Sequence, residues 1–340
     1  MNQPQIRRYS EIDYLKGFAI LLMILSHCIA SDDMVKVWIS SFNMPVFFVI
    51  CGYLRARNNT KEIRKLSQLK LYLSKRFRQI LIPYFVFGIG LTAFYQILSR
   101  LGDGEFSIKE ALFKLFTLQG IESMWFLSCY FIVELFFLVI FLRLPQVFQH
   151  ILGVAGILVL GYCNMTGMPD IWILRLLLKC LIGLIFVWLG YYIAKVKAVE
   201  KCPVLMVCLL LLICFVGSQI NGFCGIGALQ FKSVVLFILV GIVESAAFLV
   251  LFHAISSKKK TIVLSILEKF GKYSIVVVCT NNFFIEIIRL LDYKLFGNIL
   301  LESKWIGNGV FFLFMSVLEL LTISFFFQKC PWLFGIKDKR

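Results

Sequence analysis

Residues 12–57 read IDYLKGFAILLMILSHCIASDDMVKVWISSFNMPVFFVICGYLRAR, which is two apolar spans joined by a short polar turn. Asp13 and Lys16 lie at the start of the first span, and His27 lies near its end. Eleven residues of α-helix make about three turns, so Lys16 and His27 share one helix face about 16 Å apart. Ionisable groups inside an apolar span are costly unless they face the protein interior. The pattern predicts a polar lane, formed by Asp13, Lys16 and His27, along a membrane helix.

The composition places the whole chain in a membrane. Of its 340 residues, 60% are hydrophobic and 16% are charged, which is too apolar for a soluble domain. About 20 apolar residues cross a bilayer as a helix. We therefore expect an all-α polytopic bundle of about ten transmembrane helices that forms a single domain over residues 1–340. The predicted spans are 12–30, 37–54, 80–98, 124–142, 150–166, 171–194, 203–220, 234–255, 271–291 and 307–328.

The net charge of +16 comes from Lys and Arg residues between the spans. With both termini in the cytoplasm, most of these residues fall on the cytoplasmic side, as the positive-inside rule requires. Residues 55–78 alone hold nine basic residues and one acid. We expect a basic juxtamembrane segment at 55–79, and anionic lipids rather than nucleic acid as its partner.

The longest outer loop is expected at 99–123. Ile108, Leu112, Leu115 and Phe116 recur there at helical spacing, which predicts a short amphipathic helix. The eleven cysteines are scattered and form no C-x-x-C pair, so we expect no metal site.

His27 is the first candidate for catalysis. A lone intramembrane His is often a satisfied polar core residue. Imidazole is also the side chain best suited to move protons near neutral pH, as a general base must. Lys16 and Asp13 are one turn apart and can pair, although Lys16 also has the option of snorkelling to the inner surface.

The second and fourth spans add further polar candidates. Pro45 is expected to kink the second span, where Asn43 and Tyr53 supply polar groups near the two ends. Glu134 lies in the middle of the fourth span, where a carboxylate is expensive. Two interpretations are equally favoured: Glu134 orients His27, or it forms a structural ion pair with Arg175, Lys179 or Arg289.

A basic cluster stands just before the third span, in KRFRQILIPYF at residues 75–85. Clustered Lys75, Arg76 and Arg78 suit the phosphates of coenzyme A, and they equally suit lipid phosphates.

Taken together, these motifs resemble those of acyltransferase family 3, especially its fucose-O-acetylase-like branch. Asp13, Lys16, Gly17 and His27 fit the first family motif. The second is SFNMPVFFVICGY at residues 41–53, with Cys51 where Ser is usual. The third is a paired-basic motif before LIPY, in which Arg76 matches the first member.

Other parts of the chain extend the resemblance to residue 335. Gln79 takes the usual place of the second Arg in the paired-basic motif. MWFLSCYF at residues 124–131 is similar to the family's Trp-Phe-Leu span start. FGKYSIVVVCTN at residues 270–281 ends on Asn281, where many members carry His. CPWLFG at residues 330–335 is similar to the closing motif.

The resemblance implies an enzyme of the bacterial cytoplasmic membrane that moves an acyl group, most often acetyl, from cytoplasmic acyl-CoA. The acceptor would be a hydroxyl of a cell-surface or lipid-linked glycan, and a separate extracytoplasmic partner is possible. His27 would be the general base or the transient acyl carrier, supported by Asp13, Lys16 and Glu134. Lys75, Arg76 and Arg78 would bind the acyl donor without any bound cofactor. The residues expected to line the substrate pocket are Asn43, Tyr53 and Trp125.

A non-enzymatic alternative uses the same polar lane. A transporter of a lipid-linked sugar or a small anion would also place charged groups inside the membrane. Transporter folds often show inverted repeats and paired interrupted helices. No internal symmetry stands out in this sequence, which favours the enzyme.

Overall fold

The computed structural model describes residues 8–30, 32–58, 66–101, 105–297 and 304–335. Within these ranges the structure is helical apart from turns, loops and an isolated β-bridge between Gly225 and Gln230. The α-helices are α1 (Ser10–Cys28), α2 (Met34–Phe42), α3 (Pro45–Arg57), α4 (Leu66–Arg76), α5 (Ile82–Leu101), α6 (Ile108–Phe116), α7 (Met124–Val139), α8 (Gln146–Thr166), α9 (Trp172–Lys195), α10 (Ala198–Lys201), α11 (Val204–Asn221), α12 (Val234–Ser256), α13 (Ile262–Lys272), α14 (Ser274–Phe296) and α15 (Lys304–Lys329). The all-α bundle expected from the sequence is confirmed.

Membrane-spanning helices account for most of the described chain. Nine helical stretches in it are long and apolar enough to cross a bilayer: Met34–Arg57, Gln68–Arg100, Met124–Arg143, Gln146–Thr166, Trp172–Lys195, Val204–Asn221, Val234–Ser256, Ser274–Leu295 and Ile306–Lys329. Helix α1 corresponds to the remaining predicted span and carries three charged residues within 19. Large apolar side chains such as Leu158, Met165 and Leu205 are exposed on the bundle surface. An apolar surface of this kind is typical of a protein that faces lipid. The chain is a multi-pass membrane protein.

The second predicted span is broken into α2 and α3 at Asn43 and Met44. Pro45 occupies the first turn of α3, where its missing N–H costs nothing. The side-chain oxygen of Asn43 accepts a hydrogen bond from the Met44 backbone N–H at 2.8 Å. The helix is therefore interrupted just before Pro45, and the Asn43 side chain binds the backbone at the interruption.

The basic segment predicted at 55–79 does not form a separate surface helix where it is described. Arg55 and Arg57 lie in the last turn of α3. Residues 59–65 lie outside the described residues. Helix α4 then continues through a π-helical turn at Phe77–Leu81 directly into α5. The cluster at residues 75–78 is thus part of a long membrane helix.

The amphipathic helix predicted in the loop at 99–123 is α6. The Ser107 hydroxyl caps it by accepting a hydrogen bond from the Glu110 N–H at 3.3 Å. Ala111 and Leu115 are its buried positions. The Tyr84 hydroxyl donates to the Leu115 carbonyl at 2.7 Å, so α6 packs on the first half of α5.

Helix α1 lies inside the bundle, in contact with α2, α3, α12, α13, α14 and α15. Its backbone touches that of α13 through two glycines. A Cβ added to Gly17 would stand 1.9 Å from the Leu267 carbonyl oxygen. A Cβ added to Gly271 would stand 1.8 Å from the backbone carbonyl oxygen of Asp13. Small residues at such crossings let membrane helices approach closely. This contact fixes the part of α1 that carries Asp13 and Lys16.

We predict that Gly17→Ala destabilises the protein by about 2 kcal/mol, because the new methyl group has to push α1 and α13 apart. Thermal unfolding in detergent measures the effect. Gly90→Ala is the matched control, since a Cβ there would lie 3.6 Å from the Phe283 ring, in ordinary contact. The control should unfold at or slightly above the wild-type temperature. Equal unfolding temperatures for Gly17→Ala and wild type would contradict the close crossing.

Candidate active site

The carboxylate of Glu134 is the centre of a buried charged cluster. Its side chain on α7 is 4% exposed. Arg55 of α3 and the Tyr72 hydroxyl of α4 both donate to Oε1. The Arg76 guanidinium donates to Oε2 at 2.7 Å. We call Arg55, Tyr72, Arg76 and Glu134 the Glu134 cluster; it ties α3, α4 and α7 together.

This arrangement corrects the ion pairs expected for Glu134. Arg175, Lys179 and Arg289 are not its partners. Arg175 donates to the Ala228 carbonyl at 2.6 Å, and Lys179 lies over the Trp125 ring, 5.7 Å from its centroid. The hydrogen bonds of Glu134 go to the Glu134 cluster, so the carboxylate does not orient His27.

Arg76 is held by a second contact. Its Nη1 donates to the Gln79 side-chain oxygen at 3.2 Å. Gln79, which departs from the family pattern, thus helps to position the neighbouring Arg. Lys75 and Arg78 are exposed and lie outside the Glu134 cluster. Of the three residues predicted to bind the donor, the structure therefore brings only Arg76 into the buried cluster.

Lys16 connects α1 to the Glu134 cluster. Its ammonium is within electrostatic range of Asp13, Arg76 and Cys51. Asp13 forms its ion pair with Arg8 at 2.6 Å, which corrects the expected Asp13–Lys16 salt bridge. Lys16 and Asp13 also line a cavity of about 350 Å³, together with Arg8, Tyr9, Ile12, Leu54, Gly271, Lys272, Ser274 and Ile275. Lys16 is thus partly buried and faces this cavity.

The charges at this end of α1 are unbalanced. Lys16, Arg55 and Arg76 contribute three positive charges, while Asp13 and Glu134 contribute two negative ones. Counting Arg8 beside Asp13 adds a further positive charge. Buried positive charge in excess favours an anionic ligand.

His27 lies at the opposite end of α1, in its last turn. The charged groups of the described chain within electrostatic range of it are Lys36 and Arg289, both cations. Lys36 donates to the Ile29 carbonyl at 3.0 Å, and Arg289 pairs with Glu286 at 3.3 Å. The imidazole therefore has cations around it and, among the described residues, no carboxylate within ion-pair distance.

Comparison of the chain with protein families agrees with this geometry. The family described as "Acyltransferase domain", acyltransferase family 3, matches residues 9–325. The chain belongs to this acyltransferase family. Comparisons with curated proteins and with solved structures gave no match. The resemblance to acyltransferase family 3 is confirmed, and the fucose-O-acetylase-like branch stays a prediction.

The three pocket residues predicted for this acyltransferase have separate neighbours. Asn43 stabilises the bend before α3. Tyr53 is buried, and its hydroxyl accepts from Arg57 at 3.4 Å. Trp125 begins α7, and Gly227 packs closely against its ring nitrogen. Their role in a substrate pocket stays a prediction.

A second cluster of this acyltransferase lies beside the first and was not expected. Arg57 donates to Glu11 at 2.9 Å and stacks over the Tyr9 ring at 4.2 Å from its centroid. His253 Nδ1 lies 3.8 Å from the same Glu11 oxygen. Arg55 and Arg57 both belong to the basic segment at 55–79, whose charges are also explained by the positive-inside rule. Nothing in the sequence indicates which acids they contact.

We predict that Glu134→Gln lowers stability by about 3 kcal/mol, because two buried cations lose the charge that compensates them. The unfolding midpoint in detergent should fall by about 5 °C.

The matched control for Glu134→Gln is Glu110→Gln, which removes an exposed pair with Lys114 on α6. Its midpoint should not move measurably. A Glu134→Gln midpoint as high as that of Glu110→Gln would show that the buried pairs contribute nothing.

Proposed function

We propose that this protein is an O-acyltransferase of the bacterial cytoplasmic membrane. It takes an acyl group, most often acetyl, from cytoplasmic acyl-CoA and transfers it to a hydroxyl of a cell-surface or lipid-linked glycan. One observation carries the proposal: α1 places Lys16, which lines a cavity with Asp13, near one end and His27 at the other. Family membership supports acyl transfer as the reaction.

The donor's phosphates fit the cationic end of α1. Guanidinium groups bind phosphate oxygens in pairs, and an ammonium adds a compact charge. Arg76 and Lys16 supply these groups inside the bundle, and the exposed Lys75 and Arg78 supply them at its rim. In this proposal the nucleotide of acyl-CoA sits at that end, and its thioester reaches toward His27.

The chemistry is completed at His27. The imidazole takes the proton of the acceptor hydroxyl while the hydroxyl oxygen attacks the thioester carbonyl. The carbon–sulfur bond then breaks, and the coenzyme A thiolate leaves with the proton from the imidazole. Lys36 and Arg289 supply positive charge beside the histidine, where the carbonyl oxygen becomes negative.

We predict that His27→Ala abolishes acyl transfer while the protein stays inserted and folded. The substitution removes the imidazole base but leaves the contacts of α1 with its neighbouring helices in place. Membrane vesicles given radiolabelled acetyl-CoA report the transfer. His150→Ala is the matched control, since His150 of α8 packs on the Tyr192 ring of α9, away from α1. Wild-type transfer by His27→Ala would sink the catalytic role. No label with any donor in wild type would favour a transporter.

Lys16→Met tests the donor end, since it keeps the length of the side chain and removes its charge. We predict that KM for acetyl-CoA rises about tenfold, a loss of about 1.4 kcal/mol, because a phosphate loses one cation. Lys269→Met is the control, because the Lys269 ammonium binds the Ser324 hydroxyl at 2.8 Å outside the cluster. Equal KM values for the two variants would rule out a donor contact by Lys16.

A further inference from the structure

Asn281 on α14 has a buried side chain without hydrogen-bond partners in the described part of the chain. The residue is 0% exposed. Neither its amide nitrogen nor its amide oxygen has a partner. Buried polar groups in folded proteins are nearly always paired, so such an exception requires an explanation.

Two other asparagines in the same bundle have hydrogen bonds on both amide atoms. Asn221 is 3% exposed, donates to the Ser233 carbonyl at 3.1 Å and accepts from the Ser233 N–H at 2.8 Å. Asn164 likewise donates to the Phe231 carbonyl and accepts from the Val234 N–H. Thr280, next to Asn281, donates to Val276 and Glu319. Single atoms of other buried side chains, such as Ser316 and Glu319, are also unpaired in the described part of the chain, but Asn281 is the residue there with two unpaired atoms.

The height of Asn281 in the bundle follows from its helix. Ser274 and Ile275 line the same cavity as Lys16, and Arg289 is within electrostatic range of His27. Helix α14 thus runs parallel to α1. At 1.5 Å per residue, Asn281 lies about 9 Å beyond Ile275 and about 12 Å before Arg289. Along the helix axis, Asn281 therefore lies between the level of Lys16 and the level of His27.

We propose that Asn281 binds the pantetheine arm of the acyl donor. A free amide N–H together with a free amide oxygen matches a ligand group that offers both a carbonyl and an N–H. Pantetheine contains two such secondary amides between the nucleotide phosphates and the sulfur. This inference rests on the proposed function, which puts the phosphates at Lys16 and the thioester at His27.

The variant Asn281→Leu separates this role from a structural one. Replacing an unpaired buried amide with an apolar side chain of similar size should leave the unfolding temperature unchanged or raise it. KM should rise about tenfold for acetyl-CoA and by the same factor for acetyl-pantetheine, since both share the arm. Lys16→Met should affect acetyl-CoA alone, because acetyl-pantetheine lacks the nucleotide phosphates. Asn281→Ala repeats the test if leucine overfills the site.

Asn221→Leu is the matched control. It should lower the unfolding temperature, because it leaves the Ser233 backbone groups unpaired, without changing KM for either donor. Wild-type KM in both Asn281 variants would overturn the proposal, and so would a fall in unfolding temperature like that of Asn221→Leu. Absence of acyl transfer by wild type would instead count against the proposed function itself.

Discussion

The buried carboxylate of Glu134 is the constraint that organises the charged end of the bundle. A carboxylate inside a membrane protein needs cations, and Glu134 takes Arg55 from α3 and Arg76 from α4. Those helices cannot separate without exposing an unpaired charge to an apolar interior, which costs several kcal/mol. Because one carboxylate serves two guanidinium groups, positive charge remains beside Lys16. The same contact that stabilises the fold therefore prepares this end for an anion.

Helix α1 connects the charged end of the bundle with His27 at its other end. Gly17 and Gly271 bring α1 and α13 into backbone contact, which fixes the height of Lys16. The separation of Lys16 and His27 then follows from helix geometry alone. Arg289 of the parallel helix α14 adds positive charge near His27 at the far end. A single rigid element thus holds the cationic end and the imidazole at a constant distance.

Much of this could be predicted from the sequence, because the decisive signals are local. Apolar runs gave the helices, Pro45 gave the break between α2 and α3, and the eleven-residue spacing put Lys16 and His27 on one helix. Tertiary partners could not be predicted in this way. Arg55 lies in a charge run that also signals topology, so nothing pointed to Glu134 79 residues away. The partner of Asp13 could not be predicted either. Arg8 and Lys16 are both near Asp13 in sequence, and only the tertiary packing shows that Asp13 pairs with Arg8.

The central claim is that one bundle joins a donor on the Lys16 side to an acceptor on the His27 side. Sealed proteoliposomes of known orientation test it, with radiolabelled acetyl-CoA supplied only on the Lys16 side and a glycan acceptor only on the other. Labelled ester on the acceptor, with no acetyl-CoA crossing the membrane, is the predicted result. Transfer that occurs only when donor and acceptor share one side would contradict the account.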